Sequence, residues 1–241
     1  AVAFEKGATD ETVVEDVETN FGIWGDEEYI PQNYDELFRG DVTLRQALAQ
    51  SLNVPSVKVL LSFAGLKDSI ARAKDFGINT LKDSLNYGPS LVLGGGEVHL
   101  LDMVVAYSVF ASEGKRVFPF SILRVEDSRG RQLLANENGA AQIMEPEVAR
   151  LITSILSDNE SRTPVFGNNS SLLVPGFEVA AKTGTTQEYR DAWTLGYTHN
   201  LTAGVWVGNN DNTSMEDAPG VVVASPIWNQ FMRTSLPLLT P

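Results

Sequence analysis

Cysteine is absent from the 241 residues, and histidine appears only at His99 and His199. No disulfide, zinc-thiolate centre or cysteine nucleophile is therefore open to this chain. The two histidines lie far apart and belong to no HExxH pattern. A histidine-based metal site or a Ser-His-Asp triad is not expected, and each histidine reads as a surface or loop residue. Positive charge is scarce: 18 Lys and Arg stand against 31 Asp and Glu, a formal net charge of -13. Phosphate binding needs the opposite balance, which sets aside nucleic acid as the main partner and electrostatic docking on anionic lipid. Long apolar runs are missing too. None approaches the roughly 18 residues of a membrane span, and no signal peptide is visible.

What is present is the composition of a folded protein: 43% hydrophobic and 20% charged residues, enough to bury a sizeable core. The length fits one large domain or two small ones, and no repeat or low-complexity linker divides it. The chain opens on AVAFEK, a helical stretch closed by Gly7 at a C′ position, with no N-cap or initiator Met before it. On this reading it begins inside a helix of a longer protein.

Residues 12–16 suggest a short strand. Apolar periodicity predicts helices over 43–50, 54–64, 67–76, 100–112 and 146–157, with Pro55 in a first turn where proline is tolerated. Residues 118–125 and 131–134 flank Ser128-Arg129-Gly130 as a hairpin. Strand-like runs follow at 178–182, 191–197 and 201–207. Helices first and strands later point to an α+β fold with an antiparallel sheet.

The sharpest motif is Lys182-Thr183-Gly184-Thr185-Thr186, expected to end a strand and open a turn. Glycine leaves room there for a substrate backbone against the strand edge. A lysine ammonium can meet a carboxylate, and threonine hydroxyls can hydrogen-bond it. Ser-x-Asn occurs three times, at Ser51/Asn53, Ser84/Asn86 and Ser157/Asn159. Position separates them. Ser51 and Asn53 lie at a tight junction between two helices, just before Val54-Pro55, a corner that can present polar side chains to a cleft. Ser157 leads into what reads as a solvated loop over 158–162, and Ser84 sits in another loop; both are expected to be structural.

Lys-Thr-Gly and Ser-x-Asn belong, with Ser-x-x-Lys, to the motif set of penicillin-binding proteins and class A β-lactamases. The chain resembles class A (bifunctional) penicillin-binding proteins in Pro31-Gln32-Asn33-Tyr34-Asp35, in 38–48 and in 51–55. The likeness continues through Leu93-Gly94-Gly95-Gly96-Glu97-Val98 with 106–111. It ends with 182–186 followed by Arg190-Asp191-Ala192-Trp193 and 204–211. These blocks run in the family order over nearly the whole chain, whereas β-lactamases share the Lys-Thr-Gly logic without the long blocks after it. The resemblance implies one partial domain over 1–241 with the penicillin-recognising, β-lactamase-like α+β fold and its helical subdomain.

The resemblance also implies a chemistry. A serine attacks the penultimate D-Ala–D-Ala carbonyl of a peptidoglycan stem peptide, D-alanine leaves, and an amine of a second stem peptide takes the acyl group. β-Lactams acylate the same serine. Ser51 would relay a proton near the leaving group, Asn53 would bind the substrate amide, and Lys182 would set the electrostatics around Ser51 and the substrate carboxylate. Thr183 and Thr185, around Gly184, would hold the substrate carboxylate, and the Thr185 N–H would form half of an oxyanion hole. No metal or cofactor is implied.

One departure stands out. The nucleophilic Ser-x-x-Lys should precede Ser51, and the only one here, Ser112-Glu113-Gly114-Lys115, follows it with a helix-breaking glycine. The chain as given is therefore expected to lack the nucleophile and to be inactive alone. A membrane anchor and a glycosyltransferase domain are expected only upstream of it, placing the protein on the extracytoplasmic face of a bacterial membrane. Two other readings stay open: a peptidoglycan-peptide-binding module without chemistry, and a serine β-lactamase fragment with Glu160 as the deacylating residue.

Overall fold

Strands appear early as well as late in the chain. The computed structural model describes residues 1–137, 139–215 and 219–239. A short helix α1 (Val2–Glu5) leads to β1 (Val13–Asp16), a small hairpin of β2 (Ile23–Trp24) and β3 (Glu27–Glu28), and β4 (Gly40–Thr43). The helices α2 (Leu44–Ala49), α3 (Asn53–Val59), α4 (Leu66–Asp75) and α5 (Leu100–Ala111) follow. Four short strands come next: β5 (Lys115–Val117), β6 (Arg124–Glu126), β7 (Gln132–Ala135) and β8 (Ala140–Gln142). Then come α6 (Pro146–Ser157), α7 (Asn159–Phe166), β9 (Ala180–Thr185), β10 (Asp191–Tyr197), β11 (Thr202–Gly208) and α8 (Gly220–Leu239).

The central sheet has the order β11-β10-β9, antiparallel throughout, with Leu195 opposite Lys182 and Trp193 opposite Gly184. Its two faces are covered differently, as the strand alternation shows. Ala181 and Ala203 pack with Trp228, Met232 and Leu236 of α8. Ala180 and Tyr197 turn the other way, onto Ile152 and Leu156 of α6 and Tyr107 and Phe110 of α5. Trp228 is fully buried and donates its indole N–H to the Ala203 carbonyl at 3.2 Å. Burying a ring of that size contributes on the order of 4 kcal/mol. The α+β class and the antiparallel sheet are as the sequence implied.

Three elements differ from the sequence reading. The apolar run over 54–64 forms α3 and then widens into a π-helical turn over Leu60–Ala64, closed by Gly65 at φ +82. The run over 118–125 pairs only at Arg124–Glu126, because a hairpin needs facing partners and Arg124 to Glu126 meet Ala135 to Gln132. The expected loop after Ser157 is a helix. Asp158 caps α7 by accepting the Ser161 N–H at 2.9 Å, and Arg162 of that helix is buried. A polar sequence with an internal proline, Pro164, hid this helix from periodicity.

Candidate active site

The site begins at the end of α2. Thr43 opens this short helix with a capping box: its hydroxyl accepts the Gln46 N–H at 3.2 Å and the Gln46 side chain returns to the Thr43 N–H at 2.9 Å. At the other end the Leu52 N–H bonds the Ala47 carbonyl at 2.9 Å and the Ser51 N–H bonds the Leu48 carbonyl at 3.2 Å. That is the Schellman pattern, and Leu52 packs into the same apolar cluster as Ala47. The residue in its left-handed position is normally glycine. Here it is Ser51, at φ +60. A β-carbon in that region strains the backbone, and such strain persists where the side chain has a use.

The use is visible. The Ser51 Oγ receives a hydrogen bond from Lys182 Nζ at 2.5 Å, across 131 residues of sequence. Lys182 Nζ also donates to the Thr183 carbonyl at 2.8 Å. Burial strips water from the ammonium and, together with the nearby Arg162 guanidinium, lowers the Lys182 pKa to about 8. A lysine in this state can give up and recover a proton near neutral pH, as a general acid–base group requires.

Lys182, Thr183, Gly184 and Thr185 are strand, not strand end and turn: β9 runs on through Thr185. The turn begins only after Thr186, whose N–H bonds the Asp191 carbonyl at 3.1 Å. The extra strand length is held by Asp191, which accepts from the Thr186 hydroxyl at 2.9 Å and from the Trp206 indole at 2.8 Å. Register then fixes which backbone groups stay unpaired. Thr186 and Asp191 form a hydrogen-bonded pair, so by alternation Gly184 and Lys182 also bond across to β10. The N–H groups of Thr183 and Thr185 and the Thr185 C=O therefore point off the outer edge of β9, beside the Thr183 C=O that Lys182 Nζ bonds, and β9 pairs with no other strand among the described residues. A Cβ on Gly184 would stand 3.3 Å from Trp193 Cβ, so the tight approach it permits is to its own neighbouring strand.

The first turn of α8 closes the site from behind. The Gly220 N–H donates to Thr185 Oγ1 at 2.9 Å, which leaves the Thr185 hydroxyl proton to donate elsewhere. Gly220 has to be glycine: a Cβ there would lie 2.5 Å from the Gly184 carbonyl oxygen. The partly positive end of a 20-residue helix thus sits beside the strand edge.

Asn53 stands two residues beyond Ser51, at the start of α3. Its Nδ2 donates to the Gln32 carbonyl at 2.7 Å, and its backbone N–H bonds Asn33 Oδ1 at 2.8 Å. Asn33 in turn donates to both oxygens of the fully buried Asp16, at 2.8 and 2.9 Å. Sequence reasoning assigned no role to Asn33 or Asp16. A signal existed for Asp16: in β1, Val14 and Asp16 share the buried face, and a carboxylate at an inward strand position demands partners.

The remaining candidates lie elsewhere. Ser157 Oγ bonds Glu178 at 3.2 Å and Asn159 Nδ2 bonds the Asn168 carbonyl at 3.1 Å. Ser84 and Asn86 share a single 3-10 turn, where Ser84 Oγ meets Asp83 at 3.4 Å. Ser112 ends α5, and Glu113 (φ +52) and Gly114 (φ +85) break the turn before Lys115 starts β5. Glu160 lies in the first turn of α7, not in a loop. His99 precedes α5 with its side chain 77% exposed, and His199 lies in the exposed turn between β10 and β11. Among the described residues no group of three acidic, histidine or cysteine side chains is placed to hold a metal.

Comparison with known proteins gives the family. The family model described as "Penicillin binding protein transpeptidase domain" matches residues 1–233. Penicillin-binding protein 2D of Bacillus subtilis is 34% identical over 242 residues, covering 97% of this chain and 34% of the relative. Penicillin-binding protein 1A of Aquifex aeolicus is 36% identical over 209 residues, covering 86% of this chain and 27% of the relative. The chain thus spans about a third of the length of these curated relatives. The structure of the PonA1 protein from Mycobacterium tuberculosis in complex with penicillin V superposes with a TM-score of 0.83 at 24% identity, over 98% of this chain and 66% of that one. The chain belongs to the penicillin-binding protein transpeptidase domains, and among them to those of class A.

Proposed function

We propose that this chain is part of a serine-type D,D-transpeptidase that cross-links peptidoglycan stem peptides through an acyl-enzyme and is inhibited by β-lactams. The observation that carries the reading is the 2.5 Å hydrogen bond from Lys182 Nζ to Ser51 Oγ. It joins the Lys-Thr-Gly and Ser-x-Asn motifs into one proton path.

The substrate runs extended along the open edge of β9, pairing with the outward N–H groups of Thr183 and Thr185 and with the Thr185 C=O. Its terminal carboxylate meets the Thr183 and Thr185 hydroxyls near the N-terminus of α8, where positive potential favours an anion. The Thr185 N–H donates to the oxyanion as the carbonyl becomes tetrahedral. Asn53, with one amide hydrogen given to Gln32, keeps its other N–H and its carbonyl for the substrate amide. As the C–N bond to D-alanine breaks, the departing nitrogen takes a proton from Ser51, which Lys182 replaces. The acyl group then passes from the serine to the acceptor amine, whose proton returns along the same path to Lys182, while the serine oxygen recovers its own proton from the base of its Ser-x-x-Lys motif, which took it during attack.

The serine that is acylated is not among residues 1–241 on this reading, since Ser112-Glu113-Gly114-Lys115 has neither the order nor the helical turn for it. The family also supports a location at the outer face of a bacterial cell membrane. No described helix is long and apolar enough to cross a membrane, so attachment would have to come from elsewhere in the protein.

Labelling with a fluorescent penicillin tests the reading. The whole protein should be labelled at one serine outside this chain, and residues 1–241 alone should not be. Lys182→Met in the whole protein should slow acylation by about 10²–10⁴-fold. A stoichiometric acyl adduct on a serine of 1–241 would overturn the assignment. Reversible binding of stem peptide with no labelling of the whole protein would favour the binding-module reading.

A further inference from the structure

We propose that Asn33 and Asp16 form a positioning pair, set behind the site, that holds the Ser51–Asn53 corner in its working geometry. The inference rests on the transpeptidase reading of that corner and adds two residues to it.

The helix α3 begins without a cap of its own. Leu52 occupies the N-cap position and has no side-chain acceptor to offer. The first N–H of the helix, that of Asn53, is met from 20 residues away by Asn33 Oδ1 at 2.8 Å. Asn33 therefore supplies the cap that the local sequence lacks. It also supplies direction, because it sits on the segment whose Gln32 carbonyl takes the Asn53 side chain at 2.7 Å. Backbone and side chain of Asn53 are thus held by two consecutive residues. The strained Ser51 lies two residues earlier on the same tight corner.

An amide can turn over, and only one of its two orientations caps the helix. Asp16 selects that orientation. Its carboxylate accepts Asn33 Nδ2 on both oxygens, at 2.8 and 2.9 Å, and the Arg39 N–H at 3.1 Å. A carboxylate accepts only, so Asn33 must show it the NH₂ group and turn its oxygen to Asn53. Nδ2 also donates to the Leu37 carbonyl at 2.8 Å, a second acceptor that favours the same orientation. Both side chains are buried, Asp16 at 0% and Asn33 at 3% exposure, so water does not compete for these bonds. Neither atom set reaches Ser51 or Lys182 directly, and the pair acts through Asn53 and the corner.

Exchange of the two chemistries provides the test. In the whole protein, Asn33→Ala should lower the acylation rate constant by about 100-fold with little change in the non-covalent penicillin affinity, since misplacing a reacting group by about 1 Å has that scale of effect. Amide hydrogen exchange at Asn53 should quicken in the same variant. The double variant Asp16→Asn/Asn33→Asp should recover part of both. A carboxylate at position 33 still accepts the Asn53 N–H and an amide at 16 still bonds to it with polarity reversed, while the Leu37 carbonyl loses its donor. Ile70→Ala, a buried substitution in the separate apolar cluster beneath α4 and α5, should lower stability and leave the rate constant alone. The proposal is overturned if Asn33→Ala acylates at the wild-type rate, or if the double variant folds but recovers neither property. Should the whole protein not be acylated at all, the transpeptidase reading fails by itself. Exchange at Asn53 then still decides the positioning claim, and unchanged exchange in Asn33→Ala sinks it.

Discussion

A serine held at φ +60 where a Schellman motif favours glycine carries a local penalty of about 1 kcal/mol. Its hydroxyl, 2.5 Å from Lys182 Nζ, is the reason to keep it. Ser51→Gly relieves that strain, so it should be more stable than Ser51→Ala by about 0.5–1 kcal/mol, while both lose the hydroxyl that Lys182 bonds and slow acylation of the whole protein about 10²–10⁴-fold. Ser51→Ala loses the hydroxyl and keeps the strain, so it should be the less stable of the two. Urea unfolding of both variants measures the difference. A Ser51→Gly protein no more stable than Ser51→Ala would show that the φ value carries no penalty here. At this scale the sequence already distinguished Ser51 and Asn53 from the two other Ser-x-Asn pairs, because a helix–helix corner is legible from apolar periodicity on both sides of it. Asp16 and Asn33 were not legible as a pair. Their link depends on a buried amide orientation between segments 17 residues apart, and no local propensity encodes that.

At the scale of elements, α8 shows how a long helix can escape notice. Its start, Gly220-Val221-Val222-Val223, is β-branched, and Pro226 and Pro237 interrupt it, so its local preferences argue against a helix. Packing decides instead, with Trp228 and Met232 fully buried against the sheet. By contrast β10 and β11 alternate and carry β-branched and aromatic residues at strand spacing, and they lie within one residue of where periodicity puts them. The first turn of α8 has a role beyond packing, since its Gly220 N–H orients the Thr185 hydroxyl at 2.9 Å. Gly220→Ala would place a methyl group 2.5 Å from the Gly184 carbonyl oxygen and 2.8 Å from that of Trp193, forcing the helix end off β9. The expected result is a loss of acylation of about 10-fold or more with cooperative unfolding retained, because removing one hydrogen bond to the anion-binding group loses on the order of 1–3 kcal/mol. Val222→Ala, on the same turn with its side chain 58% exposed, should acylate normally. Equal rates in Gly220→Ala and wild type would mean that α8 does not contribute to the site.

For the molecule as a whole, two opposing features decide how the isolated chain behaves in solution. Among the described residues the central sheet has no further strand at either edge. The outer edge of β9 is the proposed substrate groove, and the outer edge of β11 runs seven residues, Thr202–Gly208, with no charged side chain. Such an edge invites pairing with another copy. Large apolar side chains add to the tendency: Leu123, Leu133 and Phe118, around the β6–β7 hairpin, are 70%, 59% and 61% exposed, and Ile227 and Phe231 line the outside of α8. Against association stands a net charge of -13, which makes copies repel one another at long range. Salt shortens that repulsion to about 10 Å at 0.1 M and about 3 Å at 1 M, while apolar contact and strand pairing survive it. Self-association of residues 1–241 should therefore grow with ionic strength, the reverse of what charge-paired dimers do. Sedimentation velocity at a protein concentration on the order of 100 µM, where exposed edges and apolar surface drive aggregation, should show larger species in about 0.5 M sodium chloride than in about 0.02 M. A monomer at both salt concentrations would mean that the exposed edge and apolar side chains are too dispersed to form an interface, and association that weakens with salt would assign the contact to ion pairs instead.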